Sequence, residues 1–350
     1  MEKFKLKHVH APTMKNQYLK KKLESIEVEK GKSISKLLSE MAKTGFQGRR
    51  LGEVFQVWEE MLKDENITIF MGFAGSMSTT GQWKIVRWLI ENRFIDVLVS
   101  TGANISEDIL EAMGFGYWQG SHLVDDRELY RLRIDRFYDV YADEMEYRKM
   151  ENLIGEFTET LDPNYAYSSR EYLYLFGKFL NEKGISSIVT AAYRNKVPVF
   201  SPGLVDSGYG IANVILRYKK NRKIIVDQMK DFEEIVKIGA ESKKTGVIYI
   251  GGGVPKDFIQ LIAVALEFVK GKDQPHEYAI QITTDSPQWG GLSGATFEEA
   301  ISWGKESSMG KNVICYCDAT IALPIVAHAL AEKVEKRVNP PDFSWLFKET

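Results

Sequence analysis

From Ile67 onward the chain alternates short apolar runs ending in Gly, Ser, Thr or Asp with helix-length amphipathic stretches, and this pattern constrains the fold more than any other feature. The runs are Ile67 to Met71, Ile95 to Val99, Val197 to Phe200, Lys223 to Val226, Val247 to Ile250, Tyr278 to Ile282 and Val313 to Tyr316. Several are continuously apolar, as a strand must be when helices cover both faces of its sheet, and the stretches between them supply βαβ crossovers. The pattern predicts an α/β fold, doubly wound, with a mostly parallel Rossmann-like sheet of seven strands, helices on both faces and an N-terminal helical extension.

Composition matters here for what it excludes. With 350 residues, 44% of them hydrophobic and 27% charged, the chain is no disordered or fibrous sequence. Its 46 basic and 48 acidic residues lack the bias of a nucleic-acid binder, so no nucleic-acid partner is expected. The two cysteines, Cys315 and Cys317, fit neither a disulfide framework nor a zinc site. No apolar stretch reaches the length of a bilayer span and the N-terminus has no secretory apolar core, so a cytoplasmic protein without membrane contact is expected.

Three regions are expected. Residues 1–64 form an N-terminal arm and helices: nine lysines against four glutamates in the first 32 residues read as a solvated extension, followed by helices at Ser33 to Thr44 and Leu51 to Lys63. Residues 65–340 form a single α/β domain, with a tyrosine-rich helical excursion near 107–196. Residues 341–350 form a C-terminal tail.

Ligands of open α/β sheets bind outside the carboxyl ends of the strands, so the residues just after each run carry the functional information. Gly72 to Gly81 follows the first run, Ser100 to Asn104 the second, and Gly251 to Lys256 the fifth. Small residues allow backbone N–H groups to approach an anion, and hydroxyls add donors. None of these loops is G-x-G-x-x-G and each alone is an ordinary tight turn; three in one sheet point to a dinucleotide. Asp206, Asp285 and Asp318 follow strands where a carboxylate can accept from ribose hydroxyls or an amine, or cap a helix.

The segment Thr283 to Lys305 is the most unusual. Thr296 and Glu299 have capping-box spacing, which predicts a helix carrying Glu299, Trp303 and Lys305. A lysine desolvated beside an indole holds its proton less tightly and is available for imine chemistry, whereas most lysines are simply exposed.

These residues resemble the deoxyhypusine synthase family. The likeness rests on GGGVPK at Gly251 to Lys256, EEAISWGK at Glu298 to Lys305, PVFSPGLVD at Pro198 to Asp206 and CDAT at Cys317 to Thr320. TIFMGFAGSMSTTG and DVLVSTGA match upstream, so the likeness runs from about Ile34 to Lys336. The resemblance implies NAD-dependent transfer of the 4-aminobutyl group of spermidine, with Lys305 carrying that group as an imine before an acceptor amine takes it. Trp303 is then expected on the alkyl chain and Glu299 on an ammonium. NAD is expected at Ser76, Thr79, Thr101, Gly102, Ala103, Glu107, Asp206, Gly252, Thr284, Asp318 and Ala319. A homotetramer with active sites at a dimer interface is also implied.

Three positions depart from the eukaryotic pattern: Asp257 replaces a histidine, and Ile211 and Leu292 replace aspartates. Asp257 becomes the expected proton acceptor, and Asp285, Ile211 and Leu292 join the expected amine pocket. The reading is an aminoalkyl transferase of the deoxyhypusine synthase-like branch, acting on a polyamine or related amine with a small amine as acceptor. Alternatives are a true deoxyhypusine synthase with a translation-factor lysine as acceptor, an NAD-dependent amine dehydrogenase, or a noncatalytic NAD-binding scaffold.

Overall fold

The computed structural model describes residues 18–271 and 273–347; the expected arm therefore lies outside the described residues up to position 17. Two helices come first, α1 (Ile34–Met41) and α2 (Phe46–Lys63). Ser33 caps α1 by accepting from the Lys36 N–H, and Glu332 accepts from the Ile34 and Ser35 N–H groups, tying the orphan donors of this helix to the far end of the chain. Then follow β1 (Ile67–Phe73), α3 (Trp83–Glu91), β2 (Val97–Ser100) and α4 (Asn104–Ala112). The excursion contains β3 (Tyr117–Gln119), α5 (Asp126–Leu132), β4 (Ile134–Phe137), β5 (Val140–Asp143), α6 (Glu144–Glu159), β6 (Ala166–Tyr167), α7 (Ser169–Glu182) and α8 (Ile188–Asn195). The chain continues through β7 (Val199–Phe200), α9 (Gly208–Lys220), β8 (Ile225–Val226), α10 (Gln228–Glu241), β9 (Lys244–Ile250) and α11 (Gly253–Lys270). It closes with β10 (His276–Thr283), α12 (Phe297–Ser302), β11 (Glu306–Tyr316) and α13 (Ala319–Lys333).

Six strands form one parallel sheet in the order β11-β10-β9-β1-β2-β7. The chain builds outward from β1 to β7, then returns to lay β9 on the other side of β1. This is the doubly wound arrangement, with its topological switch between β1 and β9. Alternation along the strands divides two cores. Ile69, Met71 and Phe73 of β1, with Ile248 and Ile250 of β9, face one; Phe70, Val247 and Tyr249 face the other. The fold class read from the sequence is the one observed.

Several expectations change. Ile225–Val226 pairs with β6 in a separate two-stranded ribbon, so the sheet has six strands and not seven. The excursion is not purely helical, because β3, β5 and β4 form an antiparallel sheet. Its hairpin turns at Tyr138, which has φ 55°, a conformation usually signalled by Gly or Asn. The helices assigned to an N-terminal unit are not separate: Leu38, Val54, Phe55 and Trp58 are buried in the same core as β1. The C-terminal residues are no loose tail up to 347, since Phe343, Leu346 and Phe347 are buried in the second core and Arg170 donates to the Leu346 carbonyl.

The two edges of the sheet differ in length. The β7 edge is two residues long, and on β11 the Tyr316 N–H donates to Gln47 of α2 at 2.7 Å. No helix among the described residues is long and apolar enough to cross a membrane.

Candidate active site

The parallel register brings the carboxyl ends of β1, β2, β9, β10 and β11 to one rim, and backbone bonds continue beyond the strands to fix the loops. Ala74 N–H donates to Ile250 O, Thr101 N–H to Phe73 O, Gly251 N–H to Ile282 O and Cys317 N–H to Thr283 O. At the switch point they enclose a cleft of about 390 Å³ whose walls include Gly75, Ser76, Gly252, Thr284, Asp285 and Asp318.

The two loops on the β1 side are locked by Asn104, which is fully buried. Its amide donates to the Phe73 and Ala74 carbonyls and to Thr101 Oγ1, and its oxygen accepts from the Ser78 N–H. Thr101 Oγ1 donates to Gly75 O, and Thr79 Oγ1 to Ser76 O. Ser76 Oγ donates to Glu107 Oε2 at 2.6 Å. Glu107 is 7% exposed in the first turn of α4, and burial pushes its carboxyl up to about 7 against the opposing Ser76 bond. Ala103 directly precedes α4.

Across the cleft, Gly252 lies against the 290–296 loop so closely that a Cβ there would meet Ser293 Cα at 2.4 Å. Asp318 caps α13, accepting from Thr320, and Ala319 begins that helix. Exposed Thr284 follows β10, and Asp285 Oδ1 accepts from the Ser286 N–H.

The lysine centre stands beside this cleft, against the first turn of α11. Thr296 caps α12 as expected, but Gly304, at φ 69°, ends the helical path and puts Lys305 beyond it. Lys305 is 9% exposed; its Nζ lies 2.8 Å from Asp257 Oδ1 and 5.3 Å from the Trp303 ring centroid. Trp303 and Glu299 are themselves exposed.

The structure thus brings Lys305, Asp257 and Trp303 together, and places Ser76, Thr79, Thr101, Gly102, Glu107, Gly252, Thr284, Asp285, Asp318 and Ala319 around one rim. Leu292, 41% exposed, sits on the loop over Gly252. Ile211 does not join Lys305: it follows β7 at one edge of the sheet while Lys305 precedes β11 at the other, about 24 Å away at ~4.8 Å per strand. Asp206 also follows β7, in the turn whose Leu204 and Ser207 pack closely on Gly102.

Behind Lys305 lies a buried polar layer that no local sequence signal announces. Lys256 is fully buried and donates to Gln281 Oε1 at 2.9 Å and Ala295 O at 2.6 Å. Burial pulls its ammonium down to about 8. Glu306, 2% exposed, accepts from Gln260 Nε2 at 2.7 Å, and burial pushes its carboxyl up to about 7. A capped glycine turn next to a lysine is the available signal for Lys305; for the residues behind it, only tertiary contacts reveal a partner.

Together these features define a class: a doubly wound α/β protein with a small-residue cleft at its switch point and a shielded lysine–aspartate pair at the cleft's side. The deoxyhypusine synthase family profile matches residues 36–330, and the chain belongs to that family. It is 50% identical to "Probable deoxyhypusine synthase 2" of Methanosarcina mazei, over 90% of this chain and 92% of that one. With the protein of that description in Archaeoglobus fulgidus it shares 53% over 83% of this chain and 95% of that one. Identity to the "Deoxyhypusine synthase-like protein" of Chlorobaculum tepidum is 39%, covering 89% of each chain. The fold matches the crystal structure of a "putative deoxyhypusine synthase" from Entamoeba histolytica with a TM-score of 0.64, at 19% identity over 91% of this chain and 100% of that one.

Proposed function

We propose that this protein is an NAD-dependent aminoalkyl transferase that takes a 4-aminobutyl-type group from a polyamine, holds it on Lys305 and passes it to an acceptor amine. The observation that carries the reading is the Lys305 Nζ–Asp257 Oδ1 pair, 2.8 Å apart and largely shielded from water, beside the switch-point cleft.

The cleft's residues suit the cofactor. Glu107 and Asp318 offer acceptors for ribose hydroxyls, while Gly75, Gly252 and Thr101 leave room and donors for phosphates. When bound, NAD supplies the two-electron acceptor that makes the donor's secondary amine an imine and gives the electrons back at the end.

The chain's own residues do the rest. Asp257 takes the proton that the Lys305 ammonium sheds. The freed amine adds to the donor's imine carbon, forming the new C–N bond as the old one breaks and the shorter amine leaves. An acceptor amine repeats this exchange and frees Lys305. Trp303 packs on the alkyl chain, and Glu299 and Asp285 receive its ammonium end. Leu292 offers no charge. Ile211 reaches this centre when a second copy supplies it, as the expected homotetramer would.

The test is incubation with NAD and a panel of polyamines, reduction with borohydride and mass analysis of peptides. An aminoalkyl adduct is expected on the Lys305 peptide and none in Lys305→Ala, which keeps its thermal shift with NAD. Adduct on Lys256 alone overturns the assignment. Accumulating NADH without adduct indicates an amine dehydrogenase. The 50% identity to "Probable deoxyhypusine synthase 2" favours a second reading of the acceptor, a protein lysine, and the same assay with a translation-factor acceptor separates the two.

A further inference from the structure

Asn104 opens α4 but spends its side chain elsewhere: every bond of its amide runs to the end of β1, the loop after it or the turn after β2. An amide with no exposed surface is costly to bury unless its groups find partners, and here they do. Nδ2 shares its two hydrogens among three acceptors, Phe73 O and Ala74 O at 3.3 Å and Thr101 Oγ1 at 3.1 Å. Oδ1 accepts from the Ser78 N–H at 3.2 Å, and Ser78 Oγ donates to the Asn104 carbonyl at 2.6 Å. Ser78 too is fully buried.

These contacts bracket one wall of the cleft, which Gly75, Ser76 and Met77 help to line. Asn104 holds the chain at Phe73 and Ala74, just before that stretch, and again at Ser78, just after it. Between the two anchors Gly75 takes φ 78°, and its carbonyl accepts from Thr101 Oγ1, the same hydroxyl oxygen that accepts from Asn104. A short Gly- and Ser-containing loop left free samples many conformations, and a ligand that orders it pays that entropy on binding. Fixed at both ends, the stretch has its shape before any ligand arrives. Bulk alone does not call for asparagine here, since a leucine fills much the same space but leaves the buried Ser78 N–H without its acceptor.

We propose that Asn104 is a positioning residue for the dinucleotide: by joining Phe73, Ala74, Ser78 and Thr101 it fixes the Gly75–Met77 wall in the shape that receives the cofactor. This rests on the cofactor reading above for its ligand, but not for the fixing of the loop.

The test uses N104A, which removes the amide, and N104L, which removes it while keeping most of its bulk. NAD affinity is measured by calorimetry, thermal midpoints report the effect on the fold, and hydrogen exchange reads the Ser78 amide. Both variants are expected to bind NAD about tenfold more weakly, the cost of ordering a residue or two on binding. In turnover, KM for NAD should rise by about that factor with kcat held within about twofold. Exchange at Ser78 should be about tenfold faster in both variants while the amides of β9 are unchanged. A purely structural role moves the thermal midpoint and leaves NAD affinity and KM as they were; that result overturns the proposal, as does affinity restored in N104L. If neither variant folds, S78A decides: it loses the hydroxyl bond to Asn104 and is expected to weaken NAD binding about threefold, and an unchanged affinity refutes the proposal. If the unmutated protein binds no NAD, the cofactor reading falls and exchange alone decides: faster exchange at Ser78 in the variants supports Asn104 as the anchor of this loop, and unchanged exchange refutes it.

Discussion

Replacing Glu107 with Gln should make the ligand-free protein more stable at pH 8 while changing little at pH 5. Glu107 is buried at the start of α4, and its carboxyl moves from the ordinary 4.5 up to about 7 because burial outweighs the bond from Ser76. A carboxyl raised on folding binds more protons in the native than in the unfolded state. Its stabilising contribution is therefore complete below about 4.5 and is lost as pH rises through about 7. The interval of about 2.5 pH units corresponds to roughly 3 kcal/mol. That interval already includes the bond from Ser76, which a glutamine oxygen can still accept. Removing Glu107 also eases Asp108, whose carboxyl is likewise pushed up to about 7, by burial first and by the Glu107 charge in smaller part. The net expectation is a gain of about 3 kcal/mol at pH 8, a rise of a few degrees in the melting temperature. Melting curves of both proteins at half-unit steps from pH 5 to 8 measure it. A difference that stays flat across that range, or a variant less stable at pH 8, refutes the reasoning.

Asp257→Asn should slow adduct formation on Lys305 by on the order of a hundredfold, the usual worth of a positioned proton acceptor, while the thermal shift with NAD persists. Ile211→Asp combined with Leu292→Asp should raise kcat/KM for spermidine by about tenfold, since each carboxylate supplies a partner for a buried ammonium; no gain in steady-state assays would remove both positions from the amine pocket. Phe343→Ala should cost about 3 kcal/mol in urea unfolding, because this ring is 5% exposed in the second core and its loss leaves a cavity.

The main sheet is legible in the sequence because β1, β2, β9 and β10 are buried on both faces and so read as apolar runs. The same logic fails at β11. This edge strand spans Glu306–Tyr316, but its first half carries exposed Ser308, Met309 and Lys311, and only Val313 onward has the apolar signature. The β4–β5 hairpin is invisible for a different reason: Tyr138 adopts a left-handed conformation without the residue type that announces one. In the site, the Gly-rich loops and the Lys305 segment carry local signals. Asn104, Lys256, Gln260 and Glu306 do not, since a polar residue's burial and partners arise from strands far apart in the chain. The capping-box spacing alone carries Lys305 along α12, whereas Gly304 ends that helix before the lysine is reached.

The two edges of the main sheet determine how copies of this chain can meet. A sheet extends from one molecule to another by offering a row of free N–H and C=O groups. Here one border is a two-residue strand, too short to template anything, and along the other a side chain from α2, Gln47, already occupies the Tyr316 N–H. Strand-by-strand growth is thus closed off at the β7 border, and on β11 at the position Gln47 occupies. Helix surfaces and the loop rim are then the broader faces on which copies can meet, and because the rim carries the cleft, association there would share its surface with the site.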